Sequence, residues 1–310
     1  MSGRGSQRPT RVVGLDLGGT SVKGGAISPD GEILVEDSIP TRLEEGSASL
    51  LERLAAFARK LGAEPEVTGV PVGLGCPGLI ERNTGTIVES PNLPQIQGIA
   101  LARELAERLG IEALALENDA NVAALGEQWL GAAKGERDVL VLTLGTGIGG
   151  GLITDGKLFV GASGRAGEIG HVCVDPTAPP CSSGVPGCLE GFASATAATR
   201  RARDQKLPSD DPGNLKRLTE LARAAPGPER ELLVEIGRDL GRGLAPAVVL
   251  LDIEIFVIGG GFSAALDCME PGIRAGLRER AFGERHIRIE QARLGPSAGW
   301  IGAARLALDA

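Results

Sequence analysis

The fold of this chain is inferred most directly from the stretch Val12 to Lys23, which reads Val-Val-Gly-Leu-Asp-Leu-Gly-Gly-Thr-Ser-Val-Lys. Its first half, Val12 to Leu17, is a short apolar run that predicts a buried strand. Gly18 and Gly19 then predict a turn, because glycine adopts backbone conformations that other residues avoid. Val22 to Ile27 resumes as a second strand, and Asp30-Gly31 predicts a hairpin into a third. The stretch therefore indicates a meander of strands rather than a strand followed by a helix.

The same order of elements recurs further along the chain. Val139 to Leu144 is a second apolar run, and it is followed by the glycine-rich turn Gly145 to Gly151 and by the hairpin signal Asp155-Gly156. Helical patterns such as Asp119 to Leu130 alternate with further short strands. We therefore predict an α/β protein with a duplicated β-hairpin phosphate clamp.

Both glycine turns carry groups suited to a phosphate chain. Glycines let backbone N–H groups approach phosphate oxygens closely. Asp16 is positioned to hold Mg²⁺ directly or through water, while Thr20 offers a hydroxyl and Lys23 a cation. The alternative is a bare hairpin. A Rossmann dinucleotide site has one glycine turn that leads into a helix, whereas both turns here lead into strands.

The third motif is Glu117-Asn118-Asp119-Ala120-Asn121, at the exit of an apolar strand and the start of a helix. One interpretation is a helix cap, since Asn and Asp satisfy free N–H groups there. One cap residue is enough, however, and the carboxyl end of a strand in an α/β unit is where ligands bind. We therefore predict that Asn118, Asp119 and Asn121 belong to a functional site and do not merely cap the helix.

The fourth motif runs from Gly164 to Glu190 and contains Glu168, His171, Cys181 and Cys188. The spacing of the histidine and the two cysteines resembles that of a structural zinc site. Three ligands are one short of a closed site, and the alternative is a pair of buried, inert thiols beside a hydrogen-bonded histidine.

Composition excludes several classes of function. The formal net charge is −8 over 310 residues, so neither nucleic acid nor an anionic membrane is an expected partner. No run of 18 apolar residues occurs, and Met1 to Arg11 lacks the apolar core of a signal peptide. The five cysteines are an odd number and argue against a disulfide framework. We expect a cytoplasmic protein.

Taken in order, these motifs resemble the ROK family of bacterial sugar kinases and repressors, from Val12 to Leu308. The resemblance implies two RNase-H-like lobes of the sugar kinase, actin and Hsp70 type, with a ligand cleft between them. The internal repeat places the boundary near residue 118, with residues 1–118 in a small N-terminal lobe and residues 119–296 in a large C-terminal lobe. The resemblance adds the closing helix, within residues 297–310, to the N-terminal lobe. It also implies a homo-oligomer, since members are commonly dimers or tetramers.

The resemblance assigns roles residue by residue. Asp119 matches the catalytic base, and the sugar-binding positions match Asn92, Asn118, Glu168, His171 and Glu190. The nucleotide-binding positions match three glycine turns and their neighbours: Asp16, Gly18, Gly19, Thr20, Lys23, Thr143, Gly145, Thr146, Gly147, Gly259, Gly260 and Gly261. The zinc positions match His171, Cys181 and Cys188.

The chain departs from the family pattern at two places. Ser183 stands where the family's zinc motif has its middle cysteine, and serine is a far poorer zinc ligand than thiolate. Either zinc is absent or Cys173 supplies the missing ligand, since an extended Val172 would point Cys173 and His171 to the same face. Gln95 to Gln97 also replaces an aromatic stretch that many members carry near the sugar.

The predicted function is ATP- and Mg²⁺-dependent phosphorylation of a hexose hydroxyl, with glucose to glucose 6-phosphate as the first choice. N-acetylmannosamine, N-acetylglucosamine, fructose and allose stay open as substrates, as do polyphosphate and ADP as donors. A sugar-responsive repressor is the main alternative from another class, but only about a dozen residues precede the first strand, too few for a helix-turn-helix. An actin-like ATPase is the second alternative, and it would not need Glu168, His171 and Glu190.

Overall fold

A computed structural model describes residues 9–63, 70–181, 183–207, 215–283 and 285–310. The strands within these residues are β1 (Val12–Leu17), β2 (Ser21–Ile27), β3 (Ile33–Pro40), β4 (Val72–Cys76), β5 (Leu79–Glu81), β6 (Thr86–Glu89), β7 (Ala115–Asn118), β8 (Val139–Leu144), β9 (Ile148–Thr154), β10 (Lys157–Phe159), β11 (Ile255–Gly259) and β12 (Arg288–Gln291). The helices are α1 (Gly46–Gly62), α2 (Leu101–Leu109), α3 (Asp119–Leu130), α4 (Glu190–Ala193), α5 (Ala195–Asp204), α6 (Lys216–Ala224), α7 (Pro228–Leu251), α8 (Leu266–Arg280) and α9 (Ala298–Asp309). None of these helices is long and apolar enough to cross a membrane.

The chain divides into two units, each with its own core. Unit 1 contains Met1–Gly135, Val160–Arg165 and Pro296–Ala310, and unit 2 contains Glu136–Phe159 and Ala166–Gly295. The sequence prediction placed the boundary near residue 118. In the structure α3 packs against α9, and both helices belong to unit 1. Buried Val122 on α3 contacts Gly302 on α9, and this packing groups the helix with the N-terminal sheet.

The sheet of unit 1 has the strand order β3-β2-β1-β4-β7. The first three strands form an antiparallel meander, and β4 and β7 run parallel to β1. Residues alternate between the two faces of each strand. Leu15 and Gly24 face Leu61 of α1, whereas Gly14 and Gly25 face Trp300 of α9. The sheet is therefore covered by helices on both faces.

The closing helix α9 lies unusually close to the sheet. A side chain on Gly14 or Gly73 would overlap the main chain of α9 at Trp300 or Ala303, so glycine is required at both strand positions. Trp300 is fully buried, and its indole Nε1 donates a 3.0 Å hydrogen bond to Glu36. The C-terminal helix thus completes the core of unit 1, as the family resemblance implies.

The sheet of unit 2 repeats this plan with the order β10-β9-β8-β11-β12. Strands β8 to β10 are an antiparallel meander, and β11 and β12 run parallel to β8. Helices α7 and α8 lie side by side, and the glycines on each approach the main chain of the other: Gly237 and Gly241 on α7, Gly272 and Gly276 on α8. Pro246 lies inside α7, which continues to Leu251. The repeated strand order matches the duplication read from the sequence.

Two other elements differ from the sequence prediction. Strands β5 and β6 form a hairpin that the sequence did not predict, because only Ile80 and Ile87 of the hairpin are buried. The helical pattern of Cys188 to Arg203 predicts a single helix, whereas the structure divides it into α4 and α5 at Ser194, whose hydroxyl accepts a hydrogen bond from the Ala197 N–H and caps α5. The polar, proline-bearing stretch Gln205 to Gly213 predicts a surface loop, and much of it lies outside the described residues.

Candidate functional site

The first glycine turn, Gly18 to Thr20, connects β1 to β2 at the carboxyl end of β1. The Gly18 N–H donates to the Ser21 carbonyl at 3.0 Å, which closes the turn. Behind it, the hydroxyl of Thr41 donates to the Gly18 carbonyl at 2.7 Å and the Thr41 N–H donates to the Thr20 carbonyl at 2.9 Å. The turn is therefore held through its carbonyl groups.

Asp16 lies at the end of β1, opposite Lys23 on β2 and Gly75 on β4. Burial, the largest cause, and the negative charge of Asp119 raise the pKa of its carboxyl, Lys23 lowers it, and the net result is a rise from 3.8 to about 7. Such a carboxylate gains from a cation, because its ionised form is poorly solvated and faces a second negative charge. The sequence predicted this residue as a magnesium ligand.

Asp119 is the first residue of α3, and its side chain is accessible to solvent. Loss of surrounding water nevertheless raises the pKa of its carboxyl, because protein atoms crowd it. Hydrogen bonds from the N–H groups of Ala120 and of Asp119 itself, and from the Asn118 side chain, act in the opposite direction. A carboxylate with a raised pKa is better matched to accept a proton near neutral pH than an ordinary aspartate.

Asn118 serves as the cap of α3. Its Oδ1 accepts hydrogen bonds from the N–H groups of Ala120 and Asn121 at 2.9 and 3.4 Å, and its Nδ2 donates to the Gly78 carbonyl at 3.1 Å. The structure therefore shows that Asn118 caps the helix, as one interpretation of the motif predicted. The bond to Gly78 also ties the start of α3 to the turn after β4.

Asn92, predicted to bind the sugar, is exposed in a turn that the Leu93 N–H closes onto the Ser90 carbonyl at 3.1 Å. The hydroxyl of buried Ser90 donates to the Pro77 carbonyl at 2.8 Å. The turns at Pro77 and Ser90 are thus bonded to each other, and the first of them is bonded to Asn118. These bonds connect the turn that carries Asn92 to the start of α3, where Asn118 and Asp119 stand.

Glu117 was not predicted as a site residue. Its buried carboxylate accepts hydrogen bonds from Arg82 Nη1 at 2.8 Å, from the Asn118 N–H at 2.9 Å and from Asn121 Nδ2 at 3.1 Å. These bonds hold the junction of β7 and α3 on which Asn118 and Asp119 stand. The signal in the sequence was a charged residue at the end of an apolar strand, where a buried partner is needed.

Cys76 ends β4 beside the two aspartates. The thiol is buried, and burial together with the charges of Asp119 and Asp16 raises its pKa well above the usual range. It therefore stays protonated and is not a nucleophile.

The second glycine turn, Gly145 to Gly147, connects β8 to β9 in unit 2. Thr143 on β8 occupies the same place in its strand as Asp16 does in β1, and it lies between Gly149 and Gly259. The turn is closed by a 2.9 Å bond from the Gly145 N–H to the Gly147 carbonyl.

The segment that contains α4 and the start of α5 holds this second turn at three points. Glu190 Oε2 accepts from the Ile148 N–H at 3.1 Å and lies directly against Gly147. The Ala195 N–H donates to the Gly145 carbonyl at 2.9 Å, and the Thr196 hydroxyl donates to the Thr146 carbonyl at 2.8 Å. Glu190, predicted to bind the sugar, is therefore also in contact with the turn predicted to bind phosphate.

A cavity of about 750 Å³ opens beside the second turn. Gly145, Thr146 and Thr196 line one side of it, and α6 and the turn after β11 line the other through Leu215, Gly261, Phe262 and Ala264. Gly259 and Gly260 lie at the end of β11, where Gly260 has a φ of 83° and packs on the main chain of Leu144. The third predicted glycine turn is thus adjacent to the second, within unit 2.

Glu168 and His171 flank a short helical turn, Ile169–His171. The His171 Nε2 lies 3.8 Å from Glu168 Oε2, and its Nδ1 lies 3.1 Å from the hydroxyl of Ser183. Both residues are partly exposed, so their polar atoms are accessible to a ligand.

The predicted zinc ligands are brought together. One ligand atom from each of His171, Cys181 and Cys188 lies within 4.8 Å of the others. The two cysteine sulfurs are bonded as a disulfide with a Cα–Cα distance of 6.0 Å, a bond that the sequence, which argued against a disulfide framework, did not predict. Gly184 and Gly187, both with positive φ, allow the tight loop that brings them together.

This donor set does not fit a closed zinc site. The Ser183 hydroxyl lies 3.0 Å from Cys181 Sγ, at the sequence position where a third thiolate would complete four ligands. Cys173 is exposed and free, and its sulfur is not part of the cluster, so it does not supply the missing ligand. Cysteines bonded to each other are also not thiolates, the form that binds zinc.

Comparison with known proteins supports the resemblance read from the motifs. The sequence model of the ROK family matches residues 12–310. The chain is 39% identical over 268 residues to a glucokinase of Thermotoga maritima, an alignment that covers 82% of this chain and 83% of that protein.

Solved structures agree with the sequence comparison. A ROK hexokinase from Thermus thermophilus has 35% identity and a TM-score of 0.82, with 96% of this chain and 97% of that chain covered. A ROK family glucokinase from Streptomyces griseus, in complex with glucose and AMPPNP, has 31% identity and a TM-score of 0.78, with 97% of this chain and 100% of that chain covered. The predicted fold class, with RNase-H-like units of the sugar kinase, actin and Hsp70 type, is confirmed. The chain is a member of the ROK family.

Proposed function

We propose that this protein is a kinase that transfers the terminal phosphoryl group of ATP to a hydroxyl of a hexose, with glucose to glucose 6-phosphate as the first choice. The observation that supports it most is the pair Asp16 and Asp119, two carboxylates at the carboxyl ends of β1 and β7 in one sheet, with β4 between these strands. A phosphoryl transfer site needs a cation-binding carboxylate near the phosphates and a base near the attacking hydroxyl.

ATP is the proposed donor because of the cavity in unit 2. Its wall includes the apolar side chains of Leu215 and Phe262, which suit the faces of a purine, and it borders the second glycine turn. Polyphosphate has no purine and would not contact these apolar side chains. In our proposal the backbone N–H groups of both glycine turns, with Thr20, Lys23 and Thr143, bind the phosphates.

Asp119 is the proposed general base. A sugar hydroxyl is a poor nucleophile at neutral pH, and a carboxylate that accepts its proton as the oxygen attacks phosphorus lowers the barrier. The bonds of Asn118 to α3 and to Gly78 fix the place from which Asp119 acts.

Mg²⁺ fits the residues around Asp16. The burial of Asp16 and the neighbouring charge of Asp119 leave excess negative charge that a divalent cation would offset, and carboxylate oxygen is a ligand that Mg²⁺ prefers. When bound, the ion would neutralise charge on the phosphates. Zinc is left out of this mechanism, because the cluster at Cys181 lacks a fourth suitable donor.

The proposed sugar-binding residues are Asn92, Asn118, Glu168, His171 and Glu190. A polyol needs several hydrogen-bond partners, and carboxylates accept from hydroxyl donors. The 3.8 Å approach of His171 to Glu168 places an imidazole and a carboxylate side by side, a combination that can both donate to and accept from neighbouring hydroxyls.

The proposal is tested by a coupled kinase assay of the full chain with Mg²⁺ and ATP against glucose, fructose, allose, N-acetylglucosamine and N-acetylmannosamine. ADP and polyphosphate replace ATP in parallel reactions. We expect ATP-dependent product with at least one hexose and the highest kcat/KM with glucose. Phosphate release that no sugar stimulates would indicate an ATPase and overturn the proposal.

A further inference from the structure

The two glycine turns share a feature that no motif describes: each is held through its carbonyl oxygens by a threonine-containing segment. In unit 1 the Thr41 hydroxyl donates to the Gly18 carbonyl at 2.7 Å and the Thr41 N–H donates to the Thr20 carbonyl at 2.9 Å. In unit 2 the Thr196 hydroxyl donates to the Thr146 carbonyl at 2.8 Å, and the N–H of neighbouring Ala195 donates to the Gly145 carbonyl at 2.9 Å. The arrangement occurs independently in both halves of the duplicated fold.

These hydrogen bonds also fix the directions of the N–H groups in the same peptides. A trans peptide is planar, and its C=O and N–H point in opposite directions. Fixing the Gly18 carbonyl toward Thr41 therefore fixes the Gly19 N–H away from it. Fixing the Thr146 carbonyl toward Thr196 in the same way directs the Gly147 N–H outward.

Glycine-rich turns need such a restraint more than other turns do. Glycine adopts many backbone conformations at little cost, so the peptides of a glycine turn can rotate and present carbonyl oxygens in place of N–H groups. A carbonyl aimed at a phosphate is repulsive, whereas an N–H is attractive. Each threonine bond also occupies one lone pair of a turn carbonyl.

We infer that Thr41 and Thr196 are positioning residues that hold the two glycine turns in the orientation that binds the donor's phosphates. This inference rests on the proposed use of the turns as phosphate-binding elements. Thr196 is itself held in place, because Ser194 caps α5 through a 3.1 Å bond from the Ala197 N–H.

Thr196 is the better residue for a test because its side chain is exposed, while Thr41 is fully buried. Thr196→Val keeps the shape and removes the donor, and water can replace the lost bond, so stability should change little. Thr196→Ser restores the donor. Thr199→Val is the matched control, since Thr199 lies one turn further along α5 and its hydroxyl donates to the Ala195 carbonyl of its own helix.

Binding of the β,γ-imido analogue of ATP with Mg²⁺ is measured by titration calorimetry without sugar. We expect Thr196→Val to weaken binding about tenfold, the usual effect of one lost hydrogen bond of this kind. Thr196→Ser should bind within about threefold of the unsubstituted chain and Thr199→Val within about twofold, both inside the spread of such measurements. In the kinase assay the KM for ATP should rise in Thr196→Val while the KM for the hexose stays unchanged.

A purely structural role would lower the thermal midpoint or raise both KM values together. The inference is overturned if Thr196→Val binds the analogue as the unsubstituted chain does, if Ser fails to restore binding, or if Thr199→Val loses as much. Thr41→Val and Thr41→Ser repeat the comparison in unit 1, and the Thr196 variants decide the question if Thr41→Val does not fold. If the unsubstituted chain binds the analogue but phosphorylates no hexose, the proposed function fails while the binding data still decide this inference. If it does not bind the analogue, both fall.

Discussion

Gly299, near the start of α9, lies directly against the carboxylate of Asp16, so that a methyl group at position 299 would overlap both Oδ2 and Cγ of the aspartate. The helix that closes unit 1 therefore forms one wall of the pocket that holds the proposed magnesium ligand. Helix propensity and local packing make opposite predictions for this position.

Gly299→Ala should destabilise the chain although alanine favours helices by roughly 1 kcal/mol. We expect a net loss of about 1–3 kcal/mol in the free energy of unfolding, typical of an overpacked core, measured by urea denaturation. When Asp16 is also replaced by alanine, the carboxylate is absent, so Gly299→Ala should leave the free energy of unfolding unchanged or raise it. An equal loss in both backgrounds would show that the carboxylate is not the obstacle.

The stability of the ligand-free chain should depend on pH through Asp16. Burial first and the Asp119 charge second raise its pKa from 3.8 to about 7. The folded chain therefore holds this proton more tightly than the unfolded chain. The resulting contribution to the free energy of unfolding is fully present below the unfolded pKa of 3.8 and is lost as pH rises through the folded pKa of about 7. Asp16→Asn removes the titration, so its melting temperature relative to the unsubstituted chain should rise between pH 5 and pH 8. A difference that does not vary with pH would contradict the assignment.

Asp119→Ala should lose most of kcat, by roughly 10²–10⁴-fold for a lost general base. Asp37→Asn, which alters an exposed carboxylate paired with Lys60 in the same unit, is the control and should leave kcat unchanged. Because the pKa of Asp119 is raised, kcat of the unsubstituted enzyme should fall as pH is lowered through that pKa. Near-normal turnover in Asp119→Ala, with an unchanged circular dichroism spectrum, would remove the residue from the mechanism.

Glu117→Ala should destabilise unit 1 and reduce activity together. The change leaves the donors of Arg82, Asn118 and Asn121 without their common acceptor, at an expected cost of about 2–4 kcal/mol for a broken buried network. Glu104→Ala breaks the more exposed pair with Arg108 and should cost no more than about 1 kcal/mol. Similar costs for the two variants, from chemical denaturation, would argue against an anchoring role for Glu117.

Cys181→Ser should lower the unfolding free energy of the non-reduced protein by about 2–3 kcal/mol, the usual effect of opening a disulfide that closes a short loop. Cys173→Ser changes a free, exposed thiol and is the control. Alkylation of the unfolded protein followed by mass spectrometry should count three free thiols before reduction and five after it. Stoichiometric zinc with five free thiols in freshly purified protein would show that the cluster binds metal despite Ser183.

Much of the fold could be predicted from short apolar runs bounded by glycine. The bounds of β1, β8 and α3 agree with the sequence prediction at both ends, because a buried strand leaves an uninterrupted apolar run and α3 begins directly after a capping residue. The hairpin β5–β6 was missed, since its exposed residues such as Glu81 and Glu89 interrupt any apolar pattern.

The site could be predicted only where its residues lie close together in the sequence. Asp16, Asp119 and the glycine turns stand in motifs of a few residues, so their types and spacing indicate their use. Thr41 and Thr196 contact turns 23 and 50 residues away in the chain, and threonine has no distinctive spacing there. The division between α4 and α5 at Ser194 depends on a capping hydrogen bond, and the continuous helical pattern of the sequence does not indicate it.

Asp16 and Thr143 occupy the same position in two strands of a duplicated fold, yet one is acidic and the other neutral. In unit 1 this position carries a buried carboxylate whose charged form a cation would stabilise, whereas the hydroxyl in unit 2 carries no charge. The two repeats therefore share a backbone plan but are chemically unequal where their first strands end.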